Sequence, residues 1–358
     1  MQKEIVFFLG SLNDPHFQKR VEVFIKHGYI VKVFGFLREG RDKPSVSYDY
    51  ISLGTLKERH YFSRFVIYFK SFFRVRKEAI RLLCFYSSLD IALFARLFIR
   101  SDYIYEVCDL TELSIANKFI RNVLVRANRR CINKSKLTIL TSQGFAKFFS
   151  DIMPHKYEII PNRVSPDCQL VSIKRKPIVG TVRIGFVGVI RYETTYRFVS
   201  ACVGRNDVEV HLYGIYSIAD TWSSKIQKLV EENDNMYYHG KYTNPVDLPS
   251  IYEKIDLLLC AYPPSNGRLF AEPNKLYESI FFNCPIIVSK GTFLGNKVEE
   301  LGIGFAIDSM NNESITTFLN SLPDMDYVEK VEYCSNYSKE ECIDRYDYFF
   351  LRLENWGN

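Results

Sequence analysis

The 358-residue chain contains no uncharged stretch near the ~18–20 apolar residues that a membrane span needs. Its start, MQKEIVFFLGSLND, has one short apolar run before Gly10 and no cleavage-site pattern, so no signal peptide is expected. There is no C-x-x-C pair. The nine cysteines are scattered singly from Cys84 to Cys342, which excludes a zinc ribbon and argues against a disulfide framework. They are expected to be small buried apolar residues. Solenoid-period repeats and low-complexity tracts are also missing. Gly185-x-x-Gly188 lacks the third glycine and the downstream acidic residue of a dinucleotide fingerprint. What remains is a globular protein expected in the cytoplasm.

The apolar share of 47% and charged share of 25% fit that class, and the length suits two domains. The net charge of +6 is local. Between Lys57 and Arg81 lie eight basic and two acidic residues, an excess equal to that of the whole chain. Such a concentration points to a partner surface and not to a general nucleic-acid binder.

Periodicity gives an α/β pattern. Ile5–Leu9 reads as a strand and Asp14-Pro15 as the start of a helix carrying Phe17, Val21, Phe24 and Ile25. Tyr29–Phe36 reads as the next strand, and further strands are expected at Asp102–Val107, Lys136–Thr141 and Tyr157–Ile160. Helices are expected over Tyr61–Phe85, Leu89–Ile99, Leu113–Asn133 and Gln143–Asp151. The chain turns polar and aperiodic from Ser165 to Gly180, and a second β/α series follows from Val182. The expected organisation is a first domain over 1–168, a linker over 169–180, a second domain over 181–338 and a C-terminal helix within 339–358. Two β/α halves predict two doubly wound parallel sheets facing across a cleft.

The most informative stretch is EPNKLYESIFFNCPIIVS, Glu272–Ser289. Pro273 opens a helix on which Lys275 and Glu278 share a side, one turn apart. A helix N-terminus and a lysine suit a phosphate, and a carboxylate can accept two bonds from ribose hydroxyls. The spacing alone fits an exposed Glu/Lys pair at least as well.

On these residues the chain resembles the GT-B-fold glycosyltransferases, specifically the retaining family 4 group of bacterial polysaccharide, capsule and O-antigen assembly. P-N-K-L-Y-E is similar to that group's donor-binding helix. The resemblance implies that Glu278 is the second glutamate of the E-x7-E motif and holds the nucleotide ribose. The first would fall at Phe270, Glu272 is two residues out of register, and the glycine after the motif is replaced by Asn283. RIGFVGVIR, Arg183–Arg191, resembles the glycine turn that opens the donor domain. It implies Gly188 and Arg191 near the donor diphosphate, with Arg197 a second basic ligand, although Val189 stands where the family places its arginine. Asn266, Glu272, Asn274 and Lys275 complete the implied donor contacts. In the first half, GSLNDPHFQKR resembles the cleft-lining loop after the first strand. Gly10, Ser11 and Asp14 are implied to line the cleft, and His16 and Asp109 to act on the acceptor side; a surface histidine and a helix-capping aspartate are the plain alternatives.

The implied reaction is retaining transfer of a sugar from a UDP- or GDP-sugar to a lipid-linked or polysaccharide acceptor. No cofactor and no metal are expected; Asp324-Met325-Asp326 is a D-x-D set in a polar connection. RHYFSRFVIYFKSFFRVRKEAIR, Arg59–Arg81, mixes rings and cations as a membrane interface does. Residues 57–81 are thus the expected contact with an anionic inner leaflet, or else a core helix with a basic outer face. A sugar-nucleotide epimerase of the same fold and a silent partner subunit of a transferase are the rival readings.

Overall fold

The computed structural model describes residues 3–40, 43–57, 61–171, 173–218, 220–265 and 267–355. They form two units, one of residues up to Ile160 together with those from Arg345 onward, the other of Pro161–Asp344.

The first unit is built on seven parallel strands: β1 Lys3–Leu9, β2 Tyr29–Arg38, β3 Tyr50–Leu56, β4 Leu83–Tyr86, β5 Tyr103–Val107, β6 Leu137–Leu140 and β7 Tyr157–Ile159. Their order is β3-β2-β1-β4-β5-β6-β7. The second unit has six, β8 Val182–Ile190, β9 Val208–Tyr216, β10 Met236–Gly240, β11 Leu257–Cys260, β12 Ile286–Ser289 and β13 Gly304–Ile307, in the order β10-β9-β8-β11-β12-β13. Helices cover both faces of each sheet, so central strands carry nearly continuous apolar runs, as Ile5–Leu9 and Leu257–Cys260 do. The doubly wound α/β class expected from the sequence is therefore present twice.

Four elements differ from expectation. The helix expected over Tyr61–Phe85 stops at Val75, passes through a short 3-10 turn, and breaks at Arg81, whose φ is +63°. Leu83–Tyr86 is instead strand β4, between β1 and β5. Covered on both faces, it carries no alternation to separate it from a buried helix segment. β3 shows no unbroken strand pattern in the sequence, because Gly54, at φ +132°, interrupts it beside a register shift against β2. The helix expected over Leu113–Asn133 is a 3-10 turn, Thr111–Ser114, followed by the helix Lys118–Lys134, capped by Asn117. The expected C-terminal helix is split. Lys339–Cys342 is a 3-10 turn, Ile343 is extended and bridges Val164, and the helix proper is Asp347–Glu354.

Candidate functional site

In an open α/β sheet, ligands bind beyond the carboxyl ends of the strands where the winding direction reverses. The second unit reverses between β8 and β11. The Gly188 backbone there has φ +145°, and a Cβ added to it would meet open space. Its partner Gly214 is a glycine for a different reason: a Cβ there would lie 1.8 Å from the Gly188 carbonyl oxygen. Just beyond β8 stand Arg191 and Tyr192, and just beyond β11 stands Tyr262. The two tyrosine rings meet edge-on at 5.6 Å, and Thr194 Oγ1 donates to the Ala261 carbonyl at 2.5 Å.

After β11 comes the helix Asn274–Phe281, led in by Pro273 and buried at seven of its eight positions. Such burial explains its apolar runs but leaves Lys275 and Glu278 inside the protein, where each charge needs partners. Glu278 is 1% exposed. Its Oε2 accepts from the Tyr252 hydroxyl and the Lys275 ammonium, both at 2.6 Å, and its Oε1 from the Asn274 amide at 2.6 Å. Burial works against the Lys275 charge, but the Glu278 carboxylate outweighs it and raises the pKa above the usual lysine value. Burial, and then Glu278, push the Tyr252 phenol well up, so it stays a donor. Oε1 carries one bond and keeps a lone pair for a further hydroxyl.

Glu272 forms a second buried acid cluster, accepting from the Tyr277 hydroxyl and, at 2.5 Å, from the Lys297 ammonium. Arg197 is committed to Glu193, at 2.6 and 2.9 Å, and to the Asn312 side chain at 2.9 Å. Asn266 lies outside the described residues. The structure therefore joins Asn274, Lys275 and Glu278 in one cluster, sets Gly188 and Arg191 at the switch point, and engages Glu272 and Arg197 with other partners.

The first unit reverses between β1 and β4. The Gly10 N–H donates to Ser87 Oγ at 2.9 Å, joining the two loops that diverge there. A Cβ on Gly10 would come within 3.3 Å of Ser88 Oγ, so the two loops approach closely here. Ser11 follows, half-buried, and Asp14 caps the helix Pro15–Lys26 by accepting from the His16 N–H at 3.0 Å. On that helix His16 and Arg20 converge on Glu106 of β5, which is fully buried. Arg20 donates to Glu106 through two nitrogens, at 2.7 and 3.0 Å, and His16 Nε2 lies 2.7 Å from Glu106 Oε1. Burial alone would raise the Glu106 pKa, but the Arg20 charge and then His16 override it and hold the carboxyl at about 2. An ionised carboxylate only accepts, so Nε2 carries a proton toward it and Nδ1 is the ring nitrogen turned away from the pair. Asp109 is exposed, two residues past β5.

His16, Glu106 and Cys108 also offer ligand atoms within 4.8 Å of one another. Both Glu106 oxygens already accept from Arg20, however, and burial, then Glu106, push the Cys108 thiol well above its usual pKa. A protonated thiol is a poor ligand. The arrangement is an ion pair that orients a histidine.

Four participants escaped the sequence. Glu106 did give a signal, a lone charge in the strand YIYEV that a core cannot leave unpaired. Tyr252 reads as structural, yet it completes the Glu278 cage. Lys297 and Arg268 have no spacing signal, because the tertiary fold alone brings them to Glu272 and to the Tyr192–Tyr262 pair.

No family model matches the chain, and no curated protein matches it in sequence. Solved structures do match in fold. A sucrose-phosphate synthase from Thermosynechococcus elongatus superposes with a TM-score of 0.74 at 12% identity, covering 98% of each chain. HepE of Anabaena, in complex with UDP and glucose, gives 0.62 at 12% identity over 93% of each chain. WaaG, a glycosyltransferase involved in lipopolysaccharide biosynthesis, gives 0.64 at 14% identity, covering 94% of this chain and 97% of its own. At these identities the likeness establishes the fold, two successive Rossmann-like units of the GT-B type.

Proposed function

We propose that this GT-B-fold chain is a glycosyltransferase that moves a sugar from a UDP- or GDP-sugar to a lipid-linked or polysaccharide acceptor, with retention of configuration. The observation that carries the reading is Glu278. It is a buried carboxylate with a remaining acceptor site, on the helix that follows the switch-point strand β11. That chemistry suits a ribose hydroxyl. HepE, which shares the fold, is crystallised with UDP and with UDP-glucose, which supports a nucleoside-diphosphate donor.

In this reading Gly188 lets the donor approach the backbone, Arg191 meets the diphosphate, and Asn274 and Lys275 hold Glu278 ready. The bond from the sugar's anomeric carbon to the diphosphate breaks as the acceptor oxygen bonds to that carbon from the same side. The acceptor proton passes to the departing diphosphate oxygen, whose developing charge the cations stabilise. On the acceptor side, His16 Nδ1 and the Asp109 carboxylate are the groups for an acceptor hydroxyl. Neither a metal nor another cofactor enters this scheme.

The site of action in this reading is the cytoplasmic leaflet, reached through the helix Tyr61–Val75. Phe65, Phe69 and Phe73, spaced one turn apart, are 55%, 53% and 51% exposed, while Tyr68, Phe72 and Val75 are buried on the other side. Exposed cations Lys70, Arg74 and Lys77 accompany them, and Arg76 lies 3.8 Å over the Phe73 ring. Rings flanked by cations match an anionic lipid surface, whereas a second copy of this face would oppose like charges.

The test is incubation of the purified protein with a panel of UDP- and GDP-sugars, with and without a lipid-linked acceptor. Acceptor-dependent transfer with retained configuration is expected. Donor turnover that yields an epimer without acceptor would make the protein an isomerase, and nucleotide binding without turnover would make it a silent partner subunit.

A further inference from the structure

Arg268 is the cation that no motif singles out. It comes from the loop after β11, so it reaches the end of β8 from across the switch point. Its guanidinium carbon lies 4.5 Å from the Tyr192 ring centroid and 5.8 Å from that of Tyr262. Arg191 lies 4.6 Å from the same Tyr192 ring. Two guanidiniums therefore converge on one tyrosine, no more than about 9 Å apart, the sum of their distances to the shared ring.

Among the described residues neither arginine makes an ion pair, and the buried Arg191 Nε has no hydrogen-bond partner. Every other arginine met so far at these sites is committed: Arg20 to Glu106, Arg183 to Asp256 and Arg197 to Glu193. Two like charges gathered without a carboxylate repel each other, and an anion placed between them reverses the sign. Tyr192, between them in contact terms, takes φ +81°. A residue with a side chain seldom adopts that conformation, and such strain concentrates at functional sites.

We propose that Arg268, together with Arg191, clamps the donor's diphosphate, with the Tyr192 ring holding the two guanidiniums in register. The second basic ligand that the sequence suggested at Arg197 is thus supplied from a different loop. This inference rests on the reading of the second unit as a nucleotide-sugar site. A guanidinium offers two parallel donors to phosphate oxygens, which a lysine ammonium cannot reproduce.

Calorimetric titration of UDP, GDP and the matching monophosphates into the wild type, Arg268→Ala and Arg268→Lys tests it. The expected result is a diphosphate affinity weakened roughly 10–100-fold by Arg268→Ala, as for loss of a charge-assisted hydrogen bond. Monophosphate affinity should change little, and Arg268→Lys should recover only part of the loss. Thermal unfolding reports folding of each variant; if Arg268→Ala does not fold, Arg268→Lys carries the comparison. Wild-type binding of a diphosphate that both variants retain, or an equal loss for mono- and diphosphate, would overturn the clamp alone. Failure of the wild type to bind any of these nucleotides would overturn the nucleotide-site reading with it.

Discussion

A carboxylate in a core strand survives only if its charge is matched, and Glu106 shows the consequence. Arg20 matches it through both oxygens and His16 adds a second contact on Oε1, so a packing requirement also fixes the orientation of an imidazole. The Glu106 pKa, about 2 in the folded chain, lies below its ordinary value. Its stabilising contribution is therefore complete above the unfolded value, about 4.3, and is lost as pH falls from there through about 2. Glu106→Gln should leave the Arg20 charge buried without a counter-charge, at a cost of about 3–5 kcal/mol, and should remove that acid-limb dependence. Denaturant unfolding from pH 7 down to pH 3 measures both; equal stability of the two proteins at pH 7 would refute the pairing argument. Asn283 teaches a smaller lesson. It stands where the resembled family has glycine, and its φ of +51° shows that the left-handed requirement persists. Asparagine is among the few residues that tolerate it.

Elements put these residues to work through their ends and faces. The helix Asn274–Phe281 closes with the Cys284 N–H donating to the Ser279 carbonyl and the Asn283 N–H to the Ile280 carbonyl. This paired closure ends the helix sharply and feeds Pro285 straight into β12. The helix Tyr61–Val75 divides its rings between two faces. Tyr68 and Phe72 pack inward, Phe69 and Phe73 contact Phe98 of the neighbouring helix Leu89–Phe98, and much of both outer rings stays in solvent. If that face meets lipid, Arg74→Glu with Lys77→Glu should abolish flotation with anionic vesicles. Phe69→Ser with Phe73→Ser should weaken it even at low salt, where attraction between charges is strongest. Flotation unaffected by either pair, or absent from the wild type, would remove the membrane from the proposal.

For the whole molecule, the two chain passages between units are the notable feature. The chain leaves the first unit after Ile160 and returns at Arg345. Beside these points Val164 and Ile343 pair in parallel, and the Arg163 N–H donates to the Asp344 carboxylate at 3.2 Å. The returning helix Asp347–Glu354 buries Phe349, Phe350 and Leu353 in the first unit, with Phe350 against Phe24 at 4.9 Å and stacked on His27 at 3.8 Å. Each such side chain is worth about 1.5–3 kcal/mol. Truncation after Asp344 should therefore destabilise the first unit and spare the second. In a calorimetric scan the first unit's transition should fall or vanish while the other holds; two unmoved transitions would contradict this.

The sequence by itself determined the class of fold and the core of the Glu278 cluster. Apolar strands alternating with amphipathic helices point to parallel sheets covered by helices, and P-N-K-L-Y-E places Lys275 and Glu278 one helical turn apart. Local spacing could not tell the buried strand β4 from a helix, because a strand covered on both faces loses its period. Nor could it find Glu106, Tyr252 or Arg268 as site residues, since each meets its partners across tens of residues of intervening chain. Arg197 and Arg268 mark the division most clearly. The sequence favoured the first by its distance along the chain from Arg191, and the tertiary structure tied it to Glu193 and brought the second to Tyr192 instead. Charge finds its partner by distance in space, and only the folded chain fixes that distance.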